Sequence, residues 1–179
     1  MARVIQACDV EAQGHLVNAL LDSGEAVRPE VKRIMAAHGF TATTLQPWYP
    51  LPDFLRCLED IQTHVGRFSL RAIGQQLPRY TVFPPHITSF EMALILVDEA
   101  YRMNHRGPGD IGGYHHEPVD GHAARMRCDN PYPCEFDQGL LEALHVRFAS
   151  PGALRLRITH GPGGCRALGD AACIYQLKW

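Results

Sequence analysis

Residues 131–179 read PYPCEFDQGLLEALHVRFASPGALRLRITHGPGGCRALGDAACIYQLKW. The stretch opens on turn chemistry, Pro131-Tyr132-Pro133, and its apolar spacing becomes helical from about Cys134 to Phe148. LRLRIT then alternates, with Leu154, Leu156 and Ile158 on one face of a half-buried strand. GPGGCRALGD is a connecting loop. ACIYQLKW returns as a second strand, with Cys173, Tyr175, Leu177 and Trp179 on one face. A helix followed by a two-stranded antiparallel hairpin is predicted. Cys134 stands at the helix start, His160 at the exit of the first strand, and Cys165 and Cys173 flank the loop. Three thiolates and one imidazole make a complete tetrahedral ligand set for zinc. The Cys165-x7-Cys173 spacing is wider than a zinc-ribbon knuckle and suits two strands pinned at their ends.

Upstream of this stretch the pattern is mostly helical. Residues 11–22 carry Leu16, Val17, Leu20 and Leu21 at helical spacing before Gly24. A second helix is predicted over 26–37, with Pro29 in its first turn and Gly39 past its end. TATTLQPWYP, residues 41–50, breaks the chain. A third helix over 52–65 places Phe54, Leu55, Leu58, Ile61 and Val65 on one face, and a short helix over 67–76 follows Gly66. After the VFPPH loop, Ser89 caps a helix to about Met103 whose stripe is Phe90, Ala93, Leu94, Val97 and Tyr101. GGYHHEPVDGHAARMRC reads as two strands around Asp120-Gly121, a hairpin dipeptide. Helices first, then strands with one packed helix, define an α+β class: N-terminal helices on a small antiparallel sheet with a zinc-tied C-terminal hairpin. One domain over 1–179 is expected, helical to about 106 and sheet-rich from 107 to 179.

Bulk composition narrows the function. The chain has 179 residues, 46% hydrophobic and 20% charged, enough for a core without staples. A net charge of -2 argues against a nucleic-acid binder. No apolar run is long enough to span a membrane, and the N-terminal residues carry no apolar signal region, so a cytoplasmic protein is expected. In a reducing compartment six cysteines with ten histidines, seven of them between positions 86 and 160, point to metal before disulfides. Phosphate-binding loops, nucleophile elbows and the His-Glu-x-x-His motif are absent, so no catalytic residue is assigned.

The Cys134, His160, Cys165, Cys173 set competes with simpler readings. Separate buried thiols or a disulfide would also account for the cysteines, and Cys128 is a rival for one ligand position. At the start of a helix, Cys134 is expected to have a lowered thiol pKa. Cys8 and Cys57 are expected to be buried thiols. A ligand pocket is predicted from Trp48, Tyr49, Leu94, Val97, Tyr101 and His105, a mixed aliphatic and aromatic lining suited to a flat apolar ligand. His105 lies in MNHRGPGD, at a helix end beside a flexible turn, and is read as either a helix-end base or a metal or haem ligand. Arg102 and Arg106 are read as helix-end charges.

The same stretch, with Pro133-Cys134, Cys165, Gly169-Asp170 and Cys173, resembles the 4-vinyl reductase domain family, which includes the sensory domains of aromatic-responsive bacterial regulators. Over about residues 130–179 the motifs are specific. In the sensory members zinc is held by three cysteines and a glutamate three residues before the middle cysteine. That position is Pro162 here, and His160 is taken as the fourth ligand. The wider superfamily includes haem-nitric-oxide-binding domains and Golgi-tethering subunits. In the haem domains the ligand histidine follows a run ending Asp-Glu-Val. Here LILVDEA is followed by Tyr101, and the haem-propionate motif Tyr-x-Ser-x-Arg is absent. Tyrosine does ligate ferric haem, so haem stands as a second cofactor behind zinc.

These readings imply a small-molecule-binding sensory or carrier protein with an apolar pocket and a structural zinc, signalling to a partner protein and forming a homodimer. The alternative is a metal- or haem-dependent enzyme or gas sensor acting on an aromatic or tetrapyrrole ligand. A third class is a pure assembly module.

Overall fold

A computed structural model of the chain describes residues 9–22, 24–41, 46–161 and 163–179. Cys8 and Pro162 lie outside them. Strand β1 (Glu11–Gln13) leads through a 3-10 turn into helix α1 (Val17–Leu21), and α2 (Arg28–Ala37) follows with Pro29 in its first turn. Strand β2 (Trp48–Pro50) runs directly into α3 (Leu51–His64). Gly66, at φ +113°, breaks α3 from α4 (Arg67–Tyr80). Helix α5 (Phe90–Met103) starts where the Ser89 hydroxyl accepts from the Met92 N–H at 3.1 Å. Strands β3 (His105–Arg106), β4 (Tyr114–Asp120) and β5 (Ala123–Cys128) precede α6 (Cys134–Phe148), and β6 (Arg157–His160) and β7 (Cys173–Lys178) close the chain.

Two antiparallel sheets result. One has strand order β2-β1-β3, and the larger has order β4-β5-β7-β6. The alternation along β5 and β7 turns Ala124, Met126, Cys128, Cys173, Tyr175 and Leu177 into the core. The helices add Phe54, Leu58, Leu70, Ile73, Leu94 and Leu141 to the same core, all fully buried. The α+β class is therefore observed, and the β6–β7 pair is the expected antiparallel hairpin.

Glycine sets the packing of α4 on α6. A Cβ at Gly74 would sit 2.2 Å from the Phe136 carbonyl oxygen, and one at Gly139 would sit 2.1 Å from that of Arg71. Backbone meets backbone at both points, so neither neighbour has a flexible tip to withdraw. Outside the contact Arg71 Nε and Gln75 Nε2 each donate to the Glu142 carboxylate at 2.9 Å, and Arg147 donates to the Pro78 carbonyl.

Several elements depart from the sequence reading. Residues 11–22 are not one helix: β1 forms because its short run pairs on both sides, with β2 and β3, a non-local gain that periodicity does not record. Helix α4 continues through Pro78 to Tyr80, because α6 packs along it. The strand read from LRLRIT starts only at Arg157, and Leu154 is 76% exposed.

Helix propensity alone favours alanine over glycine inside a helix by about 1 kcal/mol. The backbone clash reverses that sign here. Gly139→Ala is expected to lower the unfolding free energy by about 2 kcal/mol or more, read from urea denaturation. An unchanged or raised midpoint would show that α4 and α6 separate freely.

Candidate functional site

The cysteine–histidine group assembles from three chain segments. Cys134 is the first residue of α6, following Pro133, whose fixed φ of -59° presets the helix entry. Cys173 is the first residue of β7, and His160 the last of β6, across the hairpin. Cys165 sits at the start of a 3-10 turn, where its N–H donates to Asp170 Oδ2 at 2.8 Å. Gly169, at φ +92°, lets that turn close. The ligand atoms of Cys134, His160, Cys165 and Cys173 all lie within 4.8 Å of one another. Cys134 Sγ is 3.1 Å from Cys173 Sγ and 3.6 Å from Cys165 Sγ. A tetrahedral zinc with Zn–S bonds of about 2.3 Å needs sulfurs about 3.8 Å apart, so small shifts suffice. Cys128 lies opposite Cys173 on β5, fully buried, and is not one of the four. Cys57 is also buried, and burial pushes its thiol up to about 12.

Within this group the low-pKa thiol is Cys173. A hydrogen bond from Cys134 and donors from Arg166 hold it well below the usual thiol range. Cys134 keeps the shared proton, raised by its bond to Cys173 and by burial, in spite of its place at the helix start. The expected helix-start lowering of the Cys134 thiol is thus outweighed by its neighbour.

Arg166 joins this group to a buried polar network. Its backbone N–H and its Nε both lie 3.4 Å from Cys173 Sγ. Its guanidinium also donates to Asn130 Oδ1 at 2.7 Å and to the Asp137 carboxylate. Asp137 is fully buried and also accepts from the Tyr114 hydroxyl at 2.7 Å and from Asn130 Nδ2 at 3.2 Å. Burial pushes its carboxyl up to about 6 against the pull of Arg166. Asn130 Oδ1 in turn accepts the Tyr132 N–H at 2.9 Å.

Tyr114 and Tyr132 face a second feature, an apolar cavity of about 40 Å³ between α4, α5 and α6. Tyr101, His105 and Phe136 complete its aromatic side, and Leu16, Leu77, Val97 and Leu140 supply aliphatic walls. Tyr132 stacks on Phe136, ring centroids 4.6 Å apart and nearly parallel. The Tyr101 hydroxyl donates to the Ile111 carbonyl at 2.9 Å. His105 Nδ1 lies 2.6 Å from the Tyr101 carbonyl, and Nε2 lies 2.7 Å from the Tyr132 hydroxyl. A carbonyl only accepts, so Nδ1 carries the proton. Burial pushes this imidazole down to about 4, so the ring is neutral near pH 7 and Nε2 accepts from Tyr132.

The sequence-derived pocket residues separate. Val97, Tyr101 and His105 line the cavity. Leu94 lies in the closed core. Tyr49 packs against Phe40, and Arg106 stacks over Trp48 at 4.5 Å, neither beside the cavity. The reading of Trp48 and Tyr49 as pocket lining did not anticipate β2, which carries both residues into the smaller sheet. Arg102 and Arg106 pair with Asp98 at 2.9 Å and Glu11 at 2.5 Å. Sequence reasoning missed Asn130, Asp137 and Arg166. Asp137 had a signal: with Cys134, Leu141 and Leu144 it occupies the apolar stripe of α6, where an unpaired carboxylate is rare. Arg166 had none, since it lies in an irregular loop.

No family model matches this chain, and no curated protein matches it. Solved structures do. An H-NOX protein from S. oneidensis in the Fe(II)NO ligation state is 16% identical, with a TM-score of 0.68 over 93% of this chain and 98% of that one. The NMR structure of an H-NOX domain from Shewanella oneidensis in the Fe(II)CO ligation state is 15% identical, with a TM-score of 0.65 over 93% and 97%. An oxygen-binding H-NOX domain related to soluble guanylate cyclases is 16% identical, with a TM-score of 0.59 over 92% and 91%. The chain therefore has the fold of H-NOX domains. This fold is the one shared by the wider superfamily that the resemblance named, and the narrower 4-vinyl reductase family is not shown by these likenesses. Among the described residues no helix is long and apolar enough to cross a membrane.

The neutral state of His105 has a consequence in acid. Its folded pKa is depressed, so the native state resists a proton that the unfolded chain accepts. The stability this confers is present above pH 6.5 and is lost as pH falls from 6.5 toward 4. The loss is about 3 kcal/mol. Urea melts at pH 7 and pH 4.5 should show a smaller acid loss for His105→Gln than for the native chain. Equal losses would place the acid sensitivity elsewhere.

Proposed function

We propose that this protein is a sensor of a small apolar ligand, built on the H-NOX fold, with a structural zinc at Cys134, His160, Cys165 and Cys173. The observation that carries the reading is the apolar cavity at the C-terminal end of α5, lined by His105 and Tyr132, which hydrogen-bond to each other. A ligand there meets Val97, Tyr101 and His105 on one helix end and Tyr132 and Phe136 on the entry to α6. At about 40 Å³ the cavity takes a diatomic gas as it stands. An aromatic ring, which occupies a cavity of about 150 Å³, requires Tyr132 to swing off His105. The zinc would supply a fixed tetrahedral tie between the start of α6 and the β6–β7 hairpin. A signalling partner would read the movement of that end of the molecule.

A haem-dependent gas sensor is the second reading, and the structural neighbours favour it. Among them are H-NOX structures in Fe(II)NO and Fe(II)CO ligation states and an oxygen complex. His105 adds support from this chain. Its Nδ1–H bonded to a backbone carbonyl, which leaves Nε2 as the acceptor, is the arrangement of a metal-ligating histidine. Against it stands the fit. Pockets for ligands of ordinary size run to about 300 Å³ or more, well beyond this cavity. Tyr132 occupies Nε2. The nearest run to the propionate motif is Tyr132-x-Cys134-x-Phe136, which puts a thiol and a phenyl ring where that motif has serine and arginine. Haem therefore does not fit the interior in this conformation.

Two measurements separate the readings. Protein purified without chelator is expected to hold one zinc per chain, and Cys173→Ser is expected to lose it and melt at lower temperature. Well under one equivalent would remove the zinc. The same preparation is expected to be colourless and to develop no stoichiometric Soret band when titrated with haem. A Soret band that His105→Gln abolishes would move the conclusion to the haem sensor. In the colourless case, small phenols should raise the melting temperature saturably, and more so in Tyr132→Ala, where no ring has to be displaced.

A further inference from the structure

We propose that Arg166 is the positioning residue that couples the cavity to the zinc centre, an inference that rests on the metal reading above. Its place between the two is geometric. One edge of Arg166 meets Cys173 Sγ through the backbone N–H and Nε, each at 3.4 Å. The other edge meets Asp137 and Asn130. Asp137 holds the Tyr114 hydroxyl at 2.7 Å, and the Tyr114 ring lines the cavity, edge-on to Tyr101 at 5.4 Å. A continuous series of hydrogen bonds thus runs from a cavity wall to a metal-ligand sulfur: Tyr114, Asp137, Arg166, Cys173. Tyr114, Asp137 and Cys173 are buried, and the Arg166 side chain is only 13% exposed.

The physics gives the coupling a sign. Three thiolates around Zn²⁺ leave about one net negative charge on the centre. Arg166 faces that charge on one side and the Asp137 carboxylate on the other, so the two anions compete for one guanidinium. A donor on Asp137 weakens its claim. When the Tyr114 hydroxyl donates to Asp137, Arg166 is freer to hold the Cys173 thiolate and so the metal. When the cavity wall moves and that bond is lost, Asp137 draws Arg166 away and the Cys173–zinc bond weakens. Groups that orient ligands in this way typically alter metal affinity about 10- to 100-fold.

The test is zinc transfer from the loaded, full-length protein to a chromogenic chelator, with the visible bands of the Co(II)-substituted protein as a second readout. Arg166→Met is expected to speed transfer about tenfold. Tyr114→Phe is expected to speed it severalfold and to shift the Co(II) bands, and Asp137→Asn, which lowers the competing charge, to slow it. General loosening of the fold would speed both, so opposite signs support the coupling. Tyr114→Phe should have no further effect in the Arg166→Met background. Should Arg166→Met fail to fold, the signs of Tyr114→Phe and Asp137→Asn in the native background decide the matter. Native transfer rates in Tyr114→Phe, or acceleration in both variants, would overturn the coupling while leaving the zinc centre in place. A native chain that holds no zinc would overturn the centre and the coupling with it.

Discussion

The contact of Gly74 with Gly139 and the first turns of α6 fixes where everything functional can sit. Because each glycine faces backbone, α4 and α6 approach more closely than any side chain would permit. That approach sets the height of α6 against the sheet. One pass of the helix then delivers Cys134 to the hairpin, Phe136 and Leu140 to the cavity, and Asp137 to Arg166. These four positions differ by one to six residues, so a shift of one turn would move all of them together. The cysteine–histidine group and the cavity are for this reason two ends of one helix placement.

The polar network beneath α6 comes at an energetic cost. Burying the Asp137–Arg166 pair strips water from two charges, and their attraction offsets this only when the remaining donors and acceptors are satisfied. Here they largely are: Tyr114, Asn130 and Arg166 converge on one carboxylate. Replacing such a pair by apolar side chains is often neutral for stability. What the pair adds is orientation, since only a planar fork reaches a thiol and a carboxylate at once. That geometry fits a centre in which the position of Cys173 matters more than its burial.

Local patterns were legible in the sequence wherever they were self-sufficient. Helix α5 with its Ser89 cap, the bounds of α6, and the β4–β5 hairpin around Asp120-Gly121 follow from capping, periodicity and turn chemistry. The cysteine–histidine group was readable because its members sit at element ends that the same rules place. What failed was non-local. β1 has three residues, and only its two partner strands make it a strand. Leu154 lies in an apparent alternation, yet β6 begins at Arg157 and Leu154 stays exposed. Trp48 and Tyr49 were assigned to the cavity by their chemistry, with nothing in the sequence to fix their distance from α5. Arg166 was invisible because its role depends on three segments meeting across 36 residues of chain.

The likeness to haem-carrying structures and the filled interior of this chain are compatible in one physical sense. The same fold provides a space at the end of α5, and the rings of Tyr101, Tyr114, Tyr132 and Phe136 decide how much of it remains open. Each aromatic pair contributes about 0.5–1.5 kcal/mol beyond its burial. A large ligand must therefore displace several such contacts and the His105–Tyr132 hydrogen bond before it gains its own. A diatomic molecule displaces nothing. A ligand shifts the conformation only by its differential affinity for the open and closed arrangements, so one that fits the closed cavity binds without signalling. On the proposed sensor reading, signalling requires a ligand large enough to move Tyr132 or Tyr114, and of these two rings Tyr114 is the one hydrogen-bonded to the buried carboxylate.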